Sequence, residues 1–151
     1  MQLSKLSDHS KETKAHGLAW ILLSVALGIH VFDEVIHDFL SFYNPLADSI
    51  RQQVPFLPLP TFTFGVWLAG LIIGVIILLC LSPLVFRGNR WMFPVSYLLG
   101  MIMIVNAIAH MAGSVIWRWP MPGVYSSFLL LAAAVFLIIN ARKHQLRLRI
   151  Y

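Results

Sequence analysis

The sequence predicts an all-α membrane protein: a four-transmembrane-helix bundle with cytoplasmic N and C termini and a short amphipathic outer loop between helices one and two. Three observations carry this. The 151-residue chain is 59% hydrophobic and only 11% charged, with a mean hydropathy of +0.80, a composition foreign to soluble domains. Four stretches, about 17–42, 61–86, 91–117 and 122–141, reach the roughly 20 apolar residues needed to cross a bilayer core of about 30 Å. The charge is also one-sided. Lys5, Lys11, Lys14, Arg87, Arg90, Arg142, Lys143, Arg147 and Arg149 fall on the side of both termini, against Arg51 and Arg118 on the other. That bias is the positive-inside pattern of a multi-pass protein of the cell (inner) membrane.

The elements follow in order. Residues 1–16 form a polar cytoplasmic tail, too long and too poorly followed by a cleavage site to be a signal peptide. Span one, about 17–42, should end at Asn44-Pro45, because proline disfavours helix in the residue before it. In PLADSIRQQVPFLPLP, Leu46, Ala47, Ile50 and Val54 are spaced for an amphipathic turn or two in the outer interface. Span two, about 61–86, contains no charge and reads as scaffold. Its Gly70-xxx-Gly74 spacing permits close helix approach, within the monomer or in a homo-oligomer. Span three, about 91–117, carries Asn106 and His110, and span four, about 122–141, is almost wholly apolar. Residues 142–151 form a basic tail suited to anionic lipid headgroups. This placement of charge speaks against nucleic acid as a partner. Cys80, the single cysteine, cannot form an internal disulfide.

One stretch breaks the apolar pattern. Residues 28–39 read GIHVFDEVIHDF. On a continuous helix turning about 100° per residue, with His30 at zero, Asp33 lies near −60°, Glu34 near +40°, His37 near −20° and Asp38 near +80°. All five share a face. At about 1.5 Å per residue, His30 and His37 lie roughly 20 and 30 Å along span one, and Asn106 and His110 lie at similar depth along span three. The two polar faces can meet if the spans pack together. An acid at the centre of a spanning helix costs about 2.5–3.5 kcal/mol, against a gain of about 0.3–0.6 for each large apolar residue. Such groups persist when paired, solvated or bound to a metal.

His30, Glu34, His37 and His110 form a plausible nitrogen and oxygen ligand set for a divalent metal, zinc or iron, and a candidate catalytic centre. Asp33 and Asp38 flank the arc and could orient a ligating imidazole. Asn106 and Arg118 are candidate substrate contacts. Without metal, the same groups could move protons in a dry pocket. No HxxHH or HxxxH pattern occurs, which argues against a di-iron oxygenase of the desaturase type.

His30-Val-Phe-Asp33-Glu34 resembles the H-x-x-E-E signature of the HXXEE-domain membrane proteins, with aspartate in place of the first glutamate. Asn106-x-x-x-His110, followed by Arg118 and Pro122-Gly123, is similar to that family's second polar segment. The resemblance covers roughly residues 17–140. It implies a small multi-span membrane domain with His30, Glu34, Asn106 and His110 at the positions that matter, and it names no reaction.

The expected function is an intramembrane enzyme acting on a lipid-soluble or amphiphilic small molecule. Its rivals are a metal- or proton-handling carrier or sensor, and a structural membrane subunit whose polar stripe binds a partner.

Overall fold

The computed structural model of the protein describes the backbone of residues 2–149 and the side chains of residues 10–148. Lys5 and Arg149, two of the basic residues that argue for orientation, have side chains outside the described residues. The described chain is all helical: α1 Gln2–Ile36, α2 Phe39–Gln53, α3 Phe64–Phe86, α4 Met92–Ile116 and α5 Val124–Arg149. Four stretches, Ser10–Ile36, Phe64–Phe86, Met92–Ile116 and Val124–Leu148, are long and apolar enough to cross a membrane.

The polar tails are not separate from the spans. Helix α1 starts at Gln2 and α5 runs to Arg149, because nothing between the tails and the apolar segments breaks a helix. SKETKA and ARKHQL are built of helix-compatible residues without Gly or Pro. Both terminal helices therefore extend a turn or more beyond the stretches read from hydropathy.

Packing runs α3 on α1, α1 on α5, and α5 on α4. Helix α5 is the centre, and small residues make that possible. Ala133, Ala134 and Ala141 on α5, with Ala19 and Ala26 on α1, are buried and let the backbones approach closely. Trp20, Leu23, Met103, Leu130 and Leu137 fill the layer between them. Trp20 is a core residue rather than an interfacial anchor, and its indole N–H donates to the Leu78 carbonyl at 2.7 Å, tying α1 to α3. The Gly70-xxx-Gly74 face meets nothing within 4 Å, so α3 does not use it inside the monomer.

Span one differs from the sequence expectation at its outer end. Helix α1 stops at Ile36, and Asp38 adopts a left-handed conformation with φ 53°. Aspartate is among the few residues other than glycine that visit this region readily. Helix α2 then runs through Pro45, the residue expected to end a helix. The backbone hydrogen bond lost at an interior proline is worth about 3 kcal/mol with the ring clash, so tertiary contacts must hold α2. Asn44 provides one: its side-chain amide donates to the Phe62 carbonyl at 2.9 Å, and its oxygen accepts from the Phe62 N–H at 3.1 Å. Tyr43 adds a hydrogen bond from its hydroxyl to the Pro60 carbonyl at 3.0 Å. The break turns the aromatic face of α2 back over the end of the bundle.

Candidate metal centre

Three helices converge where α1 ends. His30, Asp33 and Glu34 lie on its last turns, His110 lies on α4, and Ser126 lies on the first turn of α5; all five are buried. Helices α1 and α4 each pack chiefly on α5, but their side chains meet across its start. Glu34 Oε1 lies 3.2 Å from His110 Nε2 and 3.6 Å from His30 Nε2. The two imidazoles stand edge to face with centroids 4.8 Å apart.

Gly123 allows this convergence. Its φ of +86° falls where side chains are rarely accepted, and a Cβ there would meet His30 Cε1 at 2.9 Å, His110 Cε1 at 3.0 Å and Glu34 Cγ at 3.1 Å. Glycine is needed both for the backbone conformation and for the space.

Hydrogen-bond accounting sets the tautomer of His30. Ser126 Oγ lies 2.7 Å from Asp33 Oδ2 and 2.9 Å from His30 Nδ1. The single hydroxyl proton goes to the aspartate, the shorter and charge-assisted bond. Oγ must then accept from His30 Nδ1–H, which leaves Nε2 of the neutral ring with its lone pair bare. Asp33 Oδ2 also accepts the Ser126 backbone N–H at 2.9 Å, so the relay is fixed at both ends. His30 Nε2 is buried without a hydrogen-bond partner, as is His110 Nδ1.

The result is two acceptors, His30 Nε2 and Glu34 Oε1, facing each other at 3.6 Å. A shared cation relieves that repulsion. One donor atom each from His30, Glu34 and His110 lies within 4.8 Å of the others. Bonds of about 2.0–2.2 Å to zinc place neighbouring ligand atoms about 3.3 Å apart in a tetrahedron, close to the 3.2 and 3.6 Å observed. Two histidines and one carboxylate form the ligand set of hydrolytic zinc and of non-haem iron alike. The group could hold a metal ion, and Ser126 with Asp33 would be its outer support.

A cavity of about 300 Å³ adjoins the cluster and shares His110 with it. Phe39, Phe42, Tyr43 and Leu46 of α2 roof it, while Asn106 and Ala109 of α4 and Trp117, just past its end, form a wall. The Phe39 ring sits 5.7 Å from that of His110, and Phe42 meets Trp117 edge to face at 5.2 Å.

The remaining sequence candidates fall elsewhere. His37 lies half-exposed beyond the last turn of α1, its Nδ1 2.8 Å from Asp33 Oδ1, and so touches the centre only through Asp33. Asp38 is exposed and accepts from the Ser41 hydroxyl at 2.5 Å. The continuous-helix wheel that placed it beside His30 fails because the chain breaks at that residue. Arg118 is exposed, with φ 53°, at the turn that ends α4.

Sequence reasoning missed Ser126, took Gly123 only as part of a turn, and missed a second polar cluster altogether. At the opposite end of the bundle, buried His16 and His144 approach Nδ1 to Nδ1 at 3.2 Å. His16 Nε2 lies 2.9 Å from Ser96 Oγ, and Thr13 Oγ1 lies 3.1 Å from His144 Nε2. The available signal was periodicity. His16, Leu23 and His30 follow at heptad spacing along α1, and Leu130, Leu137 and His144 do the same along α5, so both histidines continue an apolar stripe.

No curated protein and no solved structure matches this chain. A family model does, over residues 20–138, a stretch that contains every residue of the His30–Glu34–His110 group and its Ser126 support. The chain belongs to the family described as proteins of unknown function with an HXXEE motif.

Proposed function

We propose that this protein is an intramembrane enzyme in which His30, Glu34 and His110 hold a divalent zinc or iron ion and act on a lipid-soluble molecule. The observation that carries the reading is the bare, buried Nε2 of His30, held by Ser126 and Asp33 to face the Glu34 carboxylate. A bound ion of this kind supplies Lewis acidity and an activated water. The chain's own residues do the rest. Ser126 and Asp33 orient His30, Gly123 lets the ligands converge, and the aromatic face of α2 keeps bulk water out. His37 touches the centre through Asp33.

The basic residues near the termini support an orientation with both termini in the cytoplasm of a cell with an inner membrane. The centre then lies toward the outer leaflet, and the basic end of α5 meets anionic headgroups. An enzyme fits better than a carrier. His16 and His30 are about 21 Å apart along α1, and the packed apolar layer of Trp20, Leu23, Leu130 and Leu137 separates the two polar ends.

The test is elemental analysis of detergent-purified protein. About one equivalent of zinc or iron is expected in the wild type and in Asp38→Ala, and none in His30→Ala or His110→Ala. If no metal is found even after reconstitution with either ion, the metal reading fails. A metal-free acid–base site would then be the better account, resting on the 3.2 Å contact between His110 Nε2 and Glu34 Oε1.

A further inference from the structure

We infer that the cavity beneath α2 is a binding site for a neutral, compact lipid bearing a single oxygen function, a cyclic or isoprenoid ketone or alcohol. The inference rests on the proposed reactive centre only in that the cavity shares His110 with it. Three observations point to this ligand class.

The first is size. Its volume is about 300 Å³. At about 20–25 Å³ per non-hydrogen atom at interior packing density, it takes about 12–15 atoms. That is a branched or ring-shaped head rather than a whole long acyl chain.

The second is charge. No Lys, Arg, Asp or Glu lines the cavity, so none of its side chains would neutralise a desolvated carboxylate or phosphate, and the Glu34 carboxylate beside His110 already offsets part of the charge of any ion held there. The walls are rings and aliphatic side chains, as in pockets for apolar ligands.

The third is the distribution of polar groups. The Tyr43 hydroxyl is already committed to the Pro60 carbonyl. Asn106 lies one helical turn before His110 on the same face of α4. Its side-chain amide has no hydrogen-bond partner among the described residues. An amide offers two donors and an acceptor, so it can hold either a carbonyl or a hydroxyl. A single oxygen bound there would sit beside His110, with the apolar body among Phe39, Phe42 and Trp117.

The experiment is ligand-dependent thermal stabilisation of the protein in nanodiscs. The probes are geranylacetone, the hydrocarbon of the same skeleton without the carbonyl, and palmitate. A ligand that binds only the folded state raises Tm in a saturable way. Geranylacetone is expected to do so in the wild type, with apparent affinity at least tenfold weaker for the hydrocarbon and in Asn106→Leu. Ala109→Trp, which fills the cavity from its edge, should abolish the response, and the unliganded Tm of each variant reports whether it has folded. Equal responses to ketone and hydrocarbon would overturn the role of Asn106. A stronger response to palmitate would overturn the neutral class, and no saturable response to any probe would overturn the site. Metal content is measured on the same preparations. Binding without metal therefore refutes the proposed centre alone, and metal without binding refutes this inference alone.

Discussion

Removing one oxygen atom tests the geometry of the centre most directly. In Ser126→Ala, His30 Nδ1–H loses an acceptor at 2.9 Å, and Asp33 Oδ2 loses the hydroxyl at 2.7 Å while keeping the backbone N–H at 2.9 Å. The backbone of α5 has no reason to move, since alanine suits a helix better than serine. Two consequences are expected. One buried donor left unsatisfied costs about 1–3 kcal/mol of stability. The imidazole also loses the contact that fixes its tautomer and rotation. Outer-shell losses of this kind cost about 10–100-fold in metal affinity, or about 1.4–2.7 kcal/mol. The assay is competition for zinc with a chromophoric chelator, run beside His30→Ala and His110→Ala. The two ligand variants should lose binding outright, whereas Ser126→Ala should weaken it within that window. Zinc affinity within twofold of wild type in Ser126→Ala, with His30→Ala inactive, would refute the argument that Ser126 orients His30.

Two further predictions separate the two ends of the bundle. Gly123→Ala forces a side chain into φ +86° and against His30, His110 and Glu34 at 2.9–3.1 Å; it should cost about 1–2 kcal/mol from backbone conformation alone and abolish metal binding, read by denaturation and elemental analysis together. His16→Phe keeps the ring but removes the nitrogens that meet Ser96 and His144 at 2.9 and 3.2 Å; it should lower stability by about 1–3 kcal/mol and leave metal stoichiometry unchanged. A joint loss of metal in His16→Phe would show that the two clusters are coupled.

The sequence makes the helical class and the four helices long and apolar enough to cross a membrane legible, because hydropathy over about 20 residues is a strong, local signal. It also marks His30, Glu34 and His110, because charge at that depth is costly and needs a reason. What it hides depends on contacts between helices. Ser126 is one of two adjacent serines at the start of α5, and nothing local marks it as the partner of His30. Gly123 looks like a turn residue until three side chains are seen against it. The break at Asp38 hides for a different reason. Every residue of IHDFLSFYN tolerates helix, and the chain turns there because the aromatic face of α2 packs back over His110. His16 and His144 fall in the stretches that the sequence reads as a polar tail and a basic headgroup-facing tail, although their heptad spacing with Leu23 and Leu137 places them on the buried stripes.

Asp33 itself carries the last argument. In the resemblance of His30–Glu34 to H-x-x-E-E, Asp33 stands in place of a glutamate, and the structure gives its shorter side chain a defined job. Its Oδ2 takes both the N–H and the hydroxyl of Ser126, and its Oδ1 faces His37 at 2.8 Å. Asp33 is a support for His30 and contributes no atom to the group that could hold a metal. Asp33→Glu pushes the carboxylate outward by about one bond length into a site with contacts already at 2.7–2.9 Å. The added methylene should cost about 1–3 kcal/mol as overpacking. Metal should be retained at reduced affinity, because His30, Glu34 and His110 are all still present. Asp33→Ala removes the support entirely and should fall to the level of Ser126→Ala or below. If Asp33→Glu instead binds metal more tightly than wild type, the longer carboxylate has reached the ion. The division into ligands and supports drawn from these distances would then be wrong.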